Sequence, residues 1–202
     1  MKRIVLMAVL ALALPLAAFA GNVDFTNHSG TLTGSSEGLT LTGSELTEIQ
    51  GLGGGGMIQG GLGTLSFSTG ALTSGSLTTG GMFAAGGSFV ITGNGTAGIP
   101  NGVIFSGSFS GPVSWTEVTS GPNGAIYYTL TGAISGTWYN GTTVNGATTQ
   151  ITFKAGKNGF TGSINLGSGD TIITTVPEPG TLGLLGTGLV GLGGIIRRKL
   201  KA

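Results

Sequence analysis

From Asn22 to Thr175 the chain alternates apolar or aromatic residues with serine, threonine or glycine. The segments "LTLTGSEL", "GTLSFSTG", "GGSFVITGNG", "GVIFSGSFSG", "PVSWTEV", "AIYYTLTGAISGTWYNG", "TTQITFKAG" and "GFTGSINLG" all repeat with a period of two. Successive side chains on a strand point to opposite faces, so each segment predicts a strand with one buried and one wetted face. Threonine, valine, isoleucine and phenylalanine suit such a pleated surface. Asn101-Gly102, Asn123-Gly124, Asn140-Gly141, Asn145-Gly146 and Asn158-Gly159 supply the positive φ that tight hairpin turns need. The pattern predicts about ten to twelve short strands, and no stretch of the body has a helical apolar period.

The fold class is therefore all-β: an antiparallel β-sandwich or flattened barrel. The recurring phrases "TLTGS" and "TGALTSGSLTTGG" raise a β-solenoid as the alternative, but no fixed period runs along the chain. The segment "GLGGGGMIQGGLG", from Gly51 to Gly63, reads as a flexible loop or hinge. With so few lysines to guard them, strand edges are open to lateral pairing.

The two ends break the alternation. Residues 1–20 combine Lys2-Arg3, an apolar stretch from Ile4 to Leu16 and Ala18-Phe19-Ala20, the three parts of a signal peptide. The apolar stretch is too short to span a bilayer, so cleavage by signal peptidase after Ala20 is expected in preference to a retained anchor. At the other end, 16 uncharged residues from Thr181 to Ile196, six of them glycine, precede Arg197, Arg198 and Lys199. A helix of that length reaches about 24 Å, short of the roughly 30 Å hydrocarbon core. Terminal cations that snorkel and act as a stop-transfer signal make it a marginal transmembrane helix. The expected organisation is a signal peptide (1–20), a Gly/Ser/Thr-rich β domain (21–175) and a carboxyl-terminal segment (176–202) with a transmembrane helix over 181–196 and a basic tail over 197–201.

Composition sharpens this picture. Of 202 residues 43 are glycine, only 7% are charged and none is cysteine, which excludes disulfides, thiolate metal sites and cysteine nucleophiles. With the ends set aside, Lys154 and Lys157 face six acids, Asp24, Glu37, Glu45, Glu48, Glu117 and Asp170. The body has no basic patch for nucleic acid. Gly51–Gly56 and Gly186–Gly191 both fit G-x-G-x-x-G. Neither is followed by the helix and the acidic residue that a dinucleotide site requires, so no cofactor is expected. His28, the single histidine, cannot form a multi-histidine metal site and has no G-x-S-x-G serine to activate. Glu45, Glu48 and Glu117 are the carboxylates that a hydrolase would have to use. "LGSGDT" (166–171) is similar to a calcium-binding β-roll turn but occurs once. The body is thus read as non-enzymatic. Trp115, Trp138 and Tyr139, with Tyr127 and Tyr128, are the candidates for stacking on sugar rings. Within Tyr127-Tyr128 and within Trp138-Tyr139, however, one ring of each pair must turn toward the core.

Val176-Pro177-Glu178-Pro179, the glycine-rich apolar run and Arg197-Arg198-Lys199 together resemble the tripartite PEP-CTERM sorting signal. The two prolines hold the motif extended, where a processing enzyme can reach it. The segments "GTLSFSTGALTSGSLTTGG" and "NGVIFSGSFSGPV" are similar to the bodies of such proteins. The resemblance implies an exported Gram-negative protein, transiently held in the inner membrane, processed by an exosortase-type membrane enzyme and then released to the cell surface or outside. Such proteins are linked with biofilm matrix and exopolysaccharide; the paucity of catalytic-type side chains on an exported β scaffold makes a structural or adhesive role there the expectation. A carbohydrate-binding module on the same β scaffold is the alternative.

Overall fold

A computed structural model describes residues 21–118, 126–156 and 159–175. The signal peptide (1–20), the sorting motif Val176–Pro179, the helix over 181–196, and Arg197, Arg198 and Lys199 of the basic tail lie outside the described residues. Among the described residues, no helix is long and apolar enough to cross a membrane. The strands are β1 (Gly21–His28), β2 (Thr31–Ser35), β3 (Gly38–Gln50), β4 (Met57–Ser68), β5 (Leu72–Ser76), β6 (Gly80–Phe83) and β7 (Gly86–Asn94). They continue with β8 (Asn101–Phe109), β9 (Val113–Val118), β10 (Ile126–Trp138), β11 (Thr143–Gly156), β12 (Ser163–Asn165) and β13 (Gly169–Thr175).

Hydrogen-bonded neighbours run β11-β13-β1-β3-β4-β7-β8-β10, and β10 pairs back onto β11. Eight strands therefore close into a barrel, and the remaining five branch from it. The branching happens along two long strands. One edge of β3 pairs first with β2, over Gly38–Thr42, and then with β1, over Glu45–Gln50. One edge of β10 pairs with β9 over Tyr127–Thr131 and with β8 over Ile134–Trp138. The β12-β2 pair and the β9-β6-β5 sheet thus extend the same end of the barrel. The antiparallel pairings and ring closure overturn the solenoid alternative, and a closed barrel takes the place of an open sandwich. The expected lateral pairing also loses its basis, because closure removes the long edges. What is left at the ends of the strand order is β5, five residues long with a register shift between Leu72 and Ser74, and β12, three residues long.

Seven of the eight pairings round the ring are recorded as antiparallel. Following the alternation of direction round the ring makes the eighth, β13 against β1, antiparallel too. The start of β1 and the finish of β13 therefore lie side by side at one end, the near end. The connections 51–56, 95–100 and 139–142 lie there as well. The branching strands extend the opposite, far end.

An eight-stranded barrel is just wide enough for side chains to fill it, and here the filling is aromatic. Ring contacts run from Phe25 to Trp138, Phe105, Phe89, Phe67 and Phe109, then through Phe153 to Trp115, Tyr128 and Phe160. The abundant glycine has a packing reason at these positions. A Cβ on Gly136 would stand 2.7 Å from Cζ of Phe105, and one on Gly132 would stand 3.0 Å from Cδ1 of Phe109. Glycine on β10 leaves the room that the phenylalanines of β8 occupy. Outward positions are mostly Ser, Thr and Gly, so the barrel is apolar inside and polar outside, the reverse of an outer-membrane barrel.

Three sequence details change. Asn140-Gly141 turns from β10 into β11 as expected, but Asn101-Gly102 opens β8 and Asn145-Gly146 lies at an irregularity of β11, where Ile134↔Ala147 gives way to Gly136↔Val144. Positive φ at Gly102 and Gly146 suits a strand irregularity as well as a turn. Residues 51–56 form the β3–β4 connection through a 3-10 turn, Leu52–Gly54, and are followed by strand. The Gly51–Gly56 pattern therefore has no helix N-terminus to face a phosphate.

Candidate functional site

Alternation along β9 and β10 turns Trp115 and Tyr128 inward. Their rings stack at 4.6 Å with an interplanar angle of 4°, and Phe160 meets Trp115 edge-on at 5.6 Å. The polar handles of the pair are used inside the protein. Trp115 Nε1 donates to the Leu77 carbonyl at 2.8 Å, and the Tyr128 hydroxyl donates to the Thr78 carbonyl at 2.6 Å. The same hydroxyl accepts from the Phe160 N–H at 3.1 Å. These bonds lock the β5–β6 connection and the segment around Phe160 over the far end. Trp115 is 1% exposed, so the expectation that it stacks on a sugar is corrected: its faces are covered by Tyr128 and Phe160. Trp138 is partly buried against Phe25 and Phe105, and only Tyr139 of the three candidates is well exposed. Trp115 pairs with Leu130, roughly 26 Å along β10 from Trp138 at 3.3 Å per residue. The candidate rings do not form one platform.

The carboxylates are likewise scattered. Glu45 lies 3.6 Å from Nε2 of His28, while Glu48 accepts from Gln59 Nε2 at 2.8 Å. Glu117 is exposed on β9, opposite Tyr128. Alternation places Glu45 and Glu48 on the outer wall, while Glu117 shares the face of Trp115 and Tyr128 at the exposed end of β9, so the three have separate neighbours. The residues of "LGSGDT" lead into β13, where Asp170 sits beside Asp24 of β1. Among the described residues no group of three or more His, Asp or Glu is gathered as a metal set would be.

Among the described residues Asp24 is the one group whose acidity is strongly altered, and the sequence pattern assigns it no role. Its pKa is raised to about 6, first by burial, then by the charge of Asp170 and a hydrogen bond with it, then by Glu48; a backbone hydrogen bond at Phe25 opposes the shift. Nothing local links Asp24 to Asp170, since the contact exists only because the first and last strands meet. Beside Asp170 runs a shallow cleft of about 330 Å³ lined by Thr26, Tyr127, Thr152, Lys154, Ser168 and Gly169. The same wall carries buried polar atoms. Among the described residues, Asn27 Oδ1, Thr149 Oγ1 and Thr171 Oγ1 on its inner face and Asp24 Oδ1 on its outer face are buried without a protein partner, and all four lie on β1, β13 and β11. The arrangement offers no nucleophile with a base to activate it and no pair of carboxyls held apart across an open cleft.

Comparison with known proteins bears on the end of the chain. No curated protein and no solved structure matches it. A family model for the PEP-CTERM protein-sorting motif matches residues 175–199, beginning at the last residue of β13. The chain therefore carries a PEP-CTERM protein-sorting motif, the mark of an exported protein sorted by exosortase.

Proposed function

We propose that the barrel is a non-enzymatic structural or adhesive element of the cell surface or extracellular matrix, delivered there by its carboxyl-terminal signal. In this reading signal peptidase releases the chain after Ala20, the segment 181–196 holds the precursor in the inner membrane, and the exosortase-type enzyme acts at Val176–Pro179. The observation that carries the reading is the abutment of β13 and the motif: the last strand ends at Thr175 and the sorting residues start there. A body with its core filled by rings and its wall covered by hydroxyls supports a role as a durable, hydrated module. Association with extracellular polysaccharide through the Ser/Thr-rich wall belongs to the same reading.

The test is removal of Pro177–Pro179 in the native host. Full-length protein retained in the inner membrane is the expected result. Processing and release at the normal rate would refute the assignment of the motif.

A further inference from the structure

The start of β1, the finish of β13 and three exposed apolar side chains share the near end. Among the described residues five large hydrophobic side chains are exposed, and three of them, Met57 (59%), Val103 (51%) and Tyr139 (47%), belong to strands or connections at that end. The connections 51–56, 95–100 and 139–142 contain no charged residue. The connection 51–56 lies against Tyr139 and the start of β1. A Cβ on Gly53 would lie 3.4 Å from the Tyr139 hydroxyl, and one on Gly51 would lie 2.5 Å from the Asn22 carbonyl at the start of β1. Asp24 pairs with Gln50, which pairs with Met57, so one carboxyl stands in the row of Met57 on the outer face, and Glu48 lies further up β3. Glu37, Glu117 and Lys154 lie toward the far end, while Asp170 stands beside Asp24.

Chain length says what such a face meets. Only residues 176–180 separate the end of β13 from the apolar run that starts at Thr181. Five residues reach at most about 18 Å when fully extended. If that run is held in a bilayer, as proposed above, the near end cannot stand farther off than this. Tyrosine with its apolar body and polar tip is a residue favoured at the headgroup level, and uncharged glycine-rich loops bring no desolvation penalty for ions.

We infer that the near end of the barrel, built from connections 51–56, 95–100 and 139–142 with Met57, Val103 and Tyr139, is a lipid-contacting face that rests on the bilayer surface while the precursor is anchored. This inference rests on the anchored-precursor reading. The connections and apolar side chains of the face are uncharged, and the carboxyl in the row of Met57 has no opposite charge to meet on a neutral lipid surface, so contact does not depend on salt or require anionic lipid.

The native chain lacks cysteine, so single cysteines can report on each end. Gly56 and Gly167 suit the purpose, because a Cβ at either meets nothing within 4 Å and neither has a positive φ. Gly56 is in a near-end connection and Gly167 precedes β13 at the far end. The full-length chain carrying Gly56→Cys or Gly167→Cys, labelled with an environment-sensitive dye, is reconstituted into phosphatidylcholine vesicles containing a lipid-borne quencher. Quenching at Gly56→Cys at least about threefold stronger than at Gly167→Cys, unchanged by salt, is the expected result. Adding Met57→Ser and Tyr139→Ser should reduce that difference by about half or more. Co-flotation with the vesicles together with equal quenching at both sites overturns the lipid-contacting face and leaves the anchor standing. Failure to co-float overturns the anchor, and the inference with it.

Discussion

Asp24 has an acidity unlike that of an ordinary surface aspartate because its neighbours on the wall are Asp170 and Glu48. Its pKa in the folded chain, about 6, lies above the ordinary value of 3.8, so the native state holds a proton that the unfolded chain has lost. The stability this contributes is fully present below the ordinary value and is lost as pH rises through about 6. Above that, the pair repels across the β1–β13 junction. Asp24→Asn should therefore leave stability near pH 4 little changed and raise the melting temperature at pH 7.5. Solvent screening of a partly exposed carboxyl limits the gain to no more than about 1 kcal/mol, or roughly 2–4 °C for a domain of this size. Thermal melts of both proteins from pH 4 to 8 check this, and curves that stay parallel throughout would count against the carboxyl pair. The existence of the two acids is plain in the sequence, but their adjacency is not, because it depends on barrel closure.

At the scale of elements, the β5–β6 connection and the loop around Phe160 are held by the Tyr128 hydroxyl, which bridges the Thr78 carbonyl and the Phe160 N–H. Tyr128→Phe keeps the stack on Trp115 but strands one buried donor and one acceptor. The expected cost is about 1–3 kcal/mol, with proteolysis at 77–79 or near Phe160 preceding global unfolding. Tryptic or thermolytic fragments that appear only with global unfolding would show that the far end is held by packing alone. The individual strands were legible because alternation is local: "GSFVITGN" in β7 shows inward Phe89, Ile91 and Gly93 and outward neighbours as written. The opposite facing of Tyr127 and Tyr128 follows from the same rule. Alternation fixes which residues share a face but leaves open which face is inside, so Trp115 could be read as a surface ring until its hydrogen bonds and neighbours were seen. Asn-Gly pairs were ambiguous for a related reason, since a positive φ serves a hairpin turn and a strand irregularity alike.

For the whole molecule, closure depends on the last strand. β13 lies between β11 and β1, pairs with β11 from Thr148↔Thr174 to Phe153↔Gly169, and places Thr171 and Ile173 in the interior. This ring cannot close until the final strand has been delivered, and contacts between first and last strands are the slowest kind to form. Among the described residues, the four buried polar atoms without protein partners all fall on β1, β13 and β11, so unpaired polar groups are concentrated on the closing wall. Two truncations separate closure from anchoring. A chain ending at Thr175 keeps every described strand and should fold with a cooperative melt and the native near-ultraviolet aromatic signal. A chain ending at Ser168 lacks β13, leaving the facing edges of β11 and β1 unpaired and Ile151 and Phe25 open to solvent. Loss of one central strand of an eight-stranded ring removes two ladders at once, so this shorter chain should lose the aromatic signal and associate through its bared edges. Sedimentation of the two chains distinguishes them. If the shorter chain remains monomeric with native aromatic signal, the barrel does not rely on its last strand, and the sorting motif would then follow a dispensable strand.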